Sequence, residues 1–236
     1  SGQQMLRVDS ETTDQITEQQ ADQIVSQAEV LIEQAGVMVL SDYAKGCLFP
    51  GLNSRLIKLA QSKDVPVIVD PKSHHFSDYQ GATMLMPNLA ELSRACGESL
   101  GKLDEIEAAA RSQMQQHDIS QMLVTLSARG MLLVKADDAL HLPAYPCDVY
   151  DVSGAGDTVI ALMTSAKMTG LADELGMHLA NLGASLVVAK TGTASLTPGE
   201  LIIASDTDAV DTSLAQTEAK VGQWRGDGKT IGFTNG

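Results

Sequence analysis

The chain alternates short runs of apolar residues with longer segments in which apolar residues recur every three or four positions. The short runs are typical of strands buried on both faces, and the longer spacing is typical of helices with one apolar side. Strands are predicted at residues 37–42, 65–70, 83–88, 121–126 and 130–136, and helices at 14–35, 51–63, 89–97 and 103–117. This alternation predicts an α/β fold in which helices cover a mostly parallel sheet.

Charge and hydropathy restrict the partners that such a fold can have. The 236 residues include 16 Lys and Arg against 30 Asp and Glu, so the net charge is -14. This charge repels phosphate backbones and anionic lipids, and it therefore argues against a nucleic acid or membrane partner. There is no apolar run of the roughly 18 residues that a membrane helix needs, and no signal-peptide pattern at the start. The sequence therefore predicts a cytoplasmic protein.

Polar residues follow several predicted strands at the point where each strand ends. They are Asp42, Asp70, Asn88 and Thr125. In an open parallel sheet, ligands bind outside the carboxyl ends of the strands. We therefore expect these four side chains to face one crevice, where a functional site should lie.

A glycine-rich turn, Gly154-Ala155-Gly156-Asp157, precedes a predicted helix. Small residues there let the backbone approach a ligand, and the free amides and dipole of a helix N-terminus favour an anion. A carboxylate beside such an anion hole makes sense if it accepts the proton of an alcohol that attacks a phosphoryl group. The residues alone leave a second interpretation open, in which Asp157 caps the helix and the glycines form a tight turn.

Other candidate residues also have simpler interpretations when each is taken alone. Asn88 and Glu91 have the spacing of a capping box, and His74 and His75 have no partner at metal-binding spacing. The three cysteines are Cys47, Cys96 and Cys147, and they contain no CxxC pair. Their spacing indicates isolated thiols and neither a disulfide framework nor a zinc site.

Four motifs in order resemble the ribokinase (PfkB) family of sugar kinases. They are PNLAE at 87–91, TLSARGM at 125–131, DVSGAGDT at 151–158 and HLANLGASLVV at 178–188. The resemblance implies a ribokinase-like fold of three α/β/α layers around a mostly parallel sheet. It also implies that the chain begins after the family's N-terminal glycine-rich motif and lid strands, so that this sheet is incomplete at its N-terminal side.

Within that family, LSDYAKG at 40–46, VDPK at 69–72 and QQMLRVD at 3–9 look most like heptose 7-phosphate kinases of ADP-heptose synthesis for the lipopolysaccharide core. Such kinases often precede a nucleotidyltransferase domain, and KTIGFTNG at 229–236 is similar to the first strand of that domain. The resemblance thus implies a kinase domain over residues 1–212, a helix and linker over 213–228, and the start of the second domain over 229–236.

The resemblance assigns roles to individual residues. Asp157 is the base that deprotonates the sugar hydroxyl, and the amides of Gly154, Ala155 and Gly156 hold the transferred phosphoryl group. Asn88 and Glu91 organise Mg²⁺ through water. Thr125, Ser127, Gly130 and Asn181 lie along ATP, although many members of the family have glycine where Ser127 stands. The simpler alternatives for these nucleotide residues are a strand-end threonine, an ordinary turn and a helix-surface asparagine.

The acceptor side is expected near Asp42, Lys45, Asp70 and Lys72, because a phosphorylated sugar needs cations in an acidic protein, although lysine is also common in solvated loops. Asp151, Ser153 and Gly192 fall where some relatives bind a monovalent cation, and the sequence leaves open whether this chain does. The resemblance implies a homodimer in the parent protein. Two other functions stay open: a kinase of the family acting on another sugar or a nucleoside, and a nucleotide-binding fragment without catalysis.

Overall fold

The computed structural model describes residues 10–147, 150–190, 192 and 194–208. The strands are β1 Met38–Ser41, β2 Val67–Asp70, β3 Met84–Leu85, β4 Gln121–Thr125, β5 Met131–Val134 and β6 Ala139–Leu142. The α-helices are α1 Glu18–Leu31, α2 Pro50–Gln61, α3 Leu89–Cys96, α4 Leu103–His117, α5 Ala155–Met168, α6 Asp173–Val188 and α7 Pro198–Asp208. In this part of the chain, no helix has both the length and the apolar character that crossing a membrane requires.

The six strands form one sheet in which spatial order follows chain order, from β1 to β6. Strands β1 to β4 are parallel, and β5 and β6 add to β4 as antiparallel neighbours. Leu40, Val69, Leu85 and Met122 are register partners across the four parallel strands, and all four are buried. The predicted α/β class and the mostly parallel sheet are confirmed.

Alternate residues of each strand pack on opposite faces of the sheet, which creates two separate apolar cores. Val67, Val69 and Val124 share one core with residues of α1, α2 and α4. Ile68 and Leu123 belong to the second core, which contains residues of α5 and α6. Helices therefore cover both faces of the sheet, and the predicted three-layer arrangement is confirmed.

Two strands differ from the prediction. Strand β3 has two residues where six were expected, because Pro87 has no N–H to donate, although Met86 N and Thr125 N still extend the ladder. Strand β6 was not predicted, since its sequence is short and lacks β-branched residues. A turn in which Lys135 N donates to Asp138 O folds β6 back onto β5.

The first and last predicted helices also differ from expectation. Helix α1 begins at Glu18 and not at residue 14, because Thr17 and Gln20 form a capping box that fixes the first turn. At the other end of the chain, the helix and linker expected over residues 213–228 and the strand expected over 229–236 lie outside the described residues. The predicted domain boundary at residue 212 lies there too.

Candidate active site

A cleft of about 240 Å³ opens at the carboxyl ends of β2 and β4, beside the N-terminus of α5. Its lining residues are Tyr43, Asp70, Lys72, Met86, Asn88, Glu91, Thr125, Gly156, Asp157, Val159 and Ile160. Seven of these residues were predicted from the sequence as site residues. The structure therefore brings the glycine-rich turn, the PNLAE motif and the VDPK motif to one place.

The other seven predicted site residues do not line the cleft. Gly154 is the N-cap of α5 and Ala155 is its first residue, and neither lines the cleft. Five others are not among the residues that line it, namely Asp42, Lys45, Ser127, Gly130 and Asn181. Four lining residues were missed by the sequence analysis. Tyr43 was visible there as part of LSDYAKG, whereas Met86, Val159 and Ile160 look like ordinary core residues.

Gly154 is the N-cap of α5, and its φ of +82° explains why a glycine is needed there. Its carbonyl accepts hydrogen bonds from Thr158 N at 3.0 Å and from Thr158 Oγ1 at 2.8 Å. The amide of Ala155 donates to Val152 O at 3.3 Å, so one of the three predicted anion-binding amides already has a partner. The interpretation of Asp157 as the helix cap is wrong, because Asp157 lies in the first turn of the helix.

Tyr43 joins the loop after β1 to the start of α5. Its hydroxyl donates a hydrogen bond of 3.3 Å to Oδ1 of Asp157. Both side chains are exposed, so solvent and a ligand can reach this carboxylate. A substrate hydroxyl that replaced Tyr43 would meet the same carboxylate oxygen.

Glu91 forms the most constrained ion pair of the cleft. Its side chain is 3% exposed, and Oε1 accepts a hydrogen bond of 2.9 Å from Lys72 Nζ. The other oxygen, Oε2, accepts from Asn88 N at 2.8 Å, while Asn88 Oδ1 accepts from Glu91 N at 2.9 Å. Asn88 and Glu91 thus form the capping box that begins α3, as the simpler interpretation of their spacing predicted. The hydrogen bond with Glu91 raises the pKa of Lys72.

Asp70 is the acidic residue of the cleft whose pKa is most strongly shifted. Burial, and then the negative charges of Glu91, Asp157 and Asp42, raise the pKa of Asp70 to about 6, although Lys72 opposes the shift. Negative charge therefore exceeds positive charge on this side of the cleft. Such an imbalance favours binding of an additional cation.

The donor set suits Mg²⁺ only in part. Carboxylate and amide oxygens are the ligands that this ion prefers, and the cleft supplies them from Asp70, Asn88, Glu91 and Asp157. Within the described residues, however, no three acidic, histidine or cysteine side chains converge to form a metal site. The residues therefore fit a Mg²⁺ ion that keeps several waters and takes its remaining ligands from a bound molecule. The rings of His74 and His75 contact one another in a tilted arrangement, with centroids 4.1 Å apart.

Two residues that were expected to bind substrate have other contacts. Asp42 is 6% exposed, and its carboxylate accepts from Tyr79 Oη and from Ala44 N. Lys45 is exposed and pairs with Glu11. Both carboxylate oxygens of Asp42 therefore have partners within the protein, and the residue does not line the cleft.

The residues expected along the nucleotide come from three elements. Thr125 ends β4, Ser127 and Gly130 lie in the turn before β5, and Asn181 lies in α6. Ser127 has a φ of +55°, a left-handed conformation that favours glycine. Gly130 faces the end of β6, where an added Cβ would lie 1.9 Å from Leu142 O. Asn181 is 4% exposed and donates from Nδ2 to Pro143 O at 2.7 Å, so the idea of a helix-surface asparagine is wrong.

The segment expected to bind a monovalent cation is described in part. Asp151 Oδ1 accepts from Ser153 N at 2.8 Å, and this hydrogen bond lowers the pKa of Asp151. Gly192 has a φ of +74°, but residues 191 and 193 lie outside the described ranges. The three cysteines are free thiols, as expected.

Comparison with known protein families identifies the family of the chain. The profile of the pfkB family carbohydrate kinases matches residues 2–199. The chain belongs to this family. The resemblance that the four motifs predicted is therefore confirmed.

Curated relatives of this pfkB family chain include two bifunctional proteins HldE. The one from Rhodospirillum rubrum is 41% identical over 241 residues, which are 99% of this chain and 49% of that protein. The one from Paramagnetospirillum magneticum is 40% identical over 243 residues, or 100% of this chain and 50% of that protein. The chain thus spans about half the length of these relatives.

Solved structures support the ribokinase-like fold. Phosphofructokinase-2 from Escherichia coli in complex with potassium matches with a TM-score of 0.71 and 21% identity, over 80% of this chain and 62% of that one. Ribokinase from Arabidopsis thaliana complexed with ribose and ATP matches with a TM-score of 0.67 and 22% identity, over 81% of this chain and 60% of that one. At these identities the similarity establishes the fold alone.

Proposed function

We propose that this chain catalyses the ATP-dependent phosphorylation of D-glycero-β-D-manno-heptose 7-phosphate at O1, giving the 1,7-bisphosphate for ADP-heptose synthesis. Identity of about 40% to the HldE proteins over nearly the whole chain supports this substrate. Membership of a carbohydrate kinase family supports the reaction class. The observation that carries the proposal is the exposed carboxylate of Asp157, which shares a cleft with Gly156, Lys72 and Thr125.

In this reaction the O1 oxygen of the sugar attacks the γ-phosphorus of ATP. The bond from that phosphorus to the β-γ bridging oxygen breaks, and ADP leaves. Asp157 accepts the proton of the O1 hydroxyl as the new P–O bond forms. Amides of the first turn of α5, beginning with Gly156, stabilise the charge on the transferred group, and the helix dipole adds to this effect. Most of the rate acceleration then comes from positioning and electrostatics.

Lys72 and Asp70 are proposed to serve the sugar side of the cleft. Lys72 is half exposed although it pairs with Glu91, so its ammonium can also reach a phosphate of the substrate. Asp70, with its raised pKa, can donate or accept a hydrogen bond from a sugar hydroxyl near neutral pH. Asp42 and Lys45 are not retained as direct ligands.

Asn88 and Glu91 are proposed to hold the water shell of Mg²⁺, with Asp70 nearby. Bound with ATP, this ion would neutralise phosphate charge. Thr125 is the one of the four predicted nucleotide residues that lines the cleft, and it is proposed to contact ATP. Ser127, Gly130 and Asn181 do not line the cleft, and they are proposed to support the part of it that binds the nucleotide. A monovalent cation near Asp151 and a homodimeric parent protein are parts of the same proposal.

The test is phosphorus NMR on the full gene product with Mg²⁺, ATP and D-glycero-D-manno-heptose 7-phosphate. A new anomeric phosphate signal, formed with equimolar ADP, is the expected result. If ATP is consumed only with another sugar or a nucleoside, the family assignment stands and the heptose substrate is wrong. If nucleotide binds but no acceptor reacts, the catalytic proposal is wrong. Repeating the reaction with potassium replaced by a bulky organic cation tests the monovalent site.

A further inference from the structure

Asp42 and Tyr79 form a buried pair beneath the cleft. Tyr79 is fully buried in the short 3₁₀ helix Phe76–Tyr79, and its hydroxyl donates a hydrogen bond to Oδ2 of Asp42. Asp42 immediately follows β1, so the pair connects the end of that strand to the segment beyond β2. Neither side chain is used by the proposed chemistry. Burial of a carboxylate costs free energy unless it is hydrogen-bonded, and here both oxygens of Asp42 accept hydrogen bonds.

The Tyr79 hydroxyl also holds the loop that carries Lys72. It accepts hydrogen bonds from Ser73 N at 3.2 Å and from Lys72 N at 3.4 Å. A hydrogen bond of 2.7 Å from Ser73 Oγ to Asp78 Oδ2 closes the same loop. With its backbone held in this way, Lys72 extends to Oε1 of Glu91 at the cleft wall.

The second oxygen of Asp42 holds the other loop of the cleft. Oδ1 accepts a hydrogen bond of 2.8 Å from Ala44 N, and Ala44 has a left-handed φ of +53°. Tyr43 lies between these two residues and reaches Asp157 with its hydroxyl. The Asp42 carboxylate therefore contacts the Tyr43 loop directly and the Lys72 loop through the Tyr79 hydroxyl.

We propose that Asp42 and Tyr79 are positioning residues, which place Lys72 and Tyr43 in the cleft without touching substrate. The functional consequence rests on the proposed kinase function, whereas the placement of Lys72 can be measured without turnover. Displacement of a binding group by about 1 Å is enough to cost binding and rate. Asp42 thereby acts through Lys72 and not as a direct ligand of the sugar.

The first experiment measures where the Lys72 amine is. The full gene product is acetylated at low reagent concentration, and the rate at each lysine is read by mass spectrometry. In Tyr79→Phe we expect Lys72 to react about fivefold faster than in the wild type, which is the effect of losing one typical hydrogen bond. Lys167, which pairs with Asp173 far from the loop, should react at an unchanged rate. An unchanged Lys72 rate would overturn the proposal.

A control separates positioning from loss of stability. Ile106→Val removes one methylene from a fully buried residue of α4 and should lower the overall stability without altering the loop that carries Lys72. It should leave the acetylation of Lys72 unchanged. If Ile106→Val accelerates Lys72 as much as Tyr79→Phe does, the effect is general loosening and the proposal is wrong. Asp42→Asn keeps the size of the side chain and should accelerate the acetylation of Lys72 as Tyr79→Phe does. It provides the test if Tyr79→Phe does not fold.

The second experiment measures the kinetic consequence. Tyr79→Phe should raise KM for the sugar phosphate about fivefold, with a smaller change in kcat. In a Lys72→Met background the same substitution should raise this KM much less than fivefold, because the phosphate-binding group that Tyr79 positions is gone. Equal effects in both backgrounds would overturn the proposal. A wild-type enzyme without turnover would contradict the kinase function instead, and the acetylation rates would then decide the positioning alone.

Discussion

Nζ of Lys72 lies 2.9 Å from Oε1 of Glu91, a carboxylate that is 3% exposed. This ion pair joins the loop after β2 to the first turn of α3, and its lysine supplies positive charge among the three acidic residues that line the cleft, Asp70, Glu91 and Asp157. Removing the cation leaves a buried carboxylate with one partner fewer. The pair therefore links the stability of the fold to the charge balance of the cleft.

Lys72→Met should lower the free energy of unfolding at neutral pH by roughly 1–3 kcal/mol, because Glu91 loses a charged hydrogen-bond partner. Urea unfolding measures this change. Lys102→Met is the matched control, since Lys102 is 78% exposed and lies 3.8 Å from Glu105, and the loss at such an exposed pair should be much smaller. Equal losses in the two variants would show that burial of Glu91 does not matter.

Asp70 has an ordinary pKa of 3.8 in the unfolded chain and a pKa of about 6 in the folded chain. As the pH rises between these two values, Asp70 should make the protein less stable. The folded chain keeps the proton of Asp70 up to about pH 6, whereas the unfolded chain releases it near the ordinary value of 3.8. Between these values the folded state binds more protons, so raising the pH favours unfolding.

Asp70→Asn removes this titration, and it should therefore stabilise the protein above about pH 6 by on the order of 1–3 kcal/mol. The gain should disappear well below pH 3.8, where Asp70 is protonated in both the folded and the unfolded wild type. Urea unfolding at about pH 3 and about pH 7.5 measures both ends of the range. The exposed Asp137 provides the control Asp137→Asn, which should show no such dependence. A gain of the same size at both pH values would contradict the assigned pKa.

Asp157→Asn should reduce kcat by about 10²-fold or more, because the amide keeps the shape of the side chain but cannot accept the proton. ATP binding, measured by calorimetry, should be nearly unchanged. Asp137→Asn makes the same chemical change in the exposed turn between β5 and β6 and should keep full activity. A nearly normal rate in Asp157→Asn would refute the role of the base.

Gly130→Ala should lower the free energy of unfolding by roughly 2–5 kcal/mol. Its φ is +86°, and an added Cβ would lie 1.9 Å from Leu142 O and 2.5 Å from Ala144 N, so strain and overpacking combine. Gly199→Ala, where an added Cβ meets nothing within 4 Å, should be close to neutral. Thermal unfolding of the two variants measures the difference. A small loss in Gly130→Ala would mean that β6 can move away.

The class of fold was predictable because it depends on periodicity along the chain. Apolar runs such as 65–70 and the helical spacing of 103–117 require strands and helices regardless of their partners. Strand β6 and the short β3 were not predictable in the same way. Strand β6 exists because β5 offers it an open edge, and β3 stops where Pro87 interrupts the ladder.

The sequence by itself determined which chemistry is available: the motif order, the carboxylate of Asp157 after its glycines, and the oxygen ligands of PNLAE. Tertiary structure alone decided which of these side chains meet. Asp42 and Lys72 both follow strands and looked equivalent, yet one is buried against Tyr79 and the other reaches the cleft. Tyr43 contacts Asp157 across 114 residues of chain. Such contacts depend on strand order and loop geometry, which local sequence periodicity does not encode.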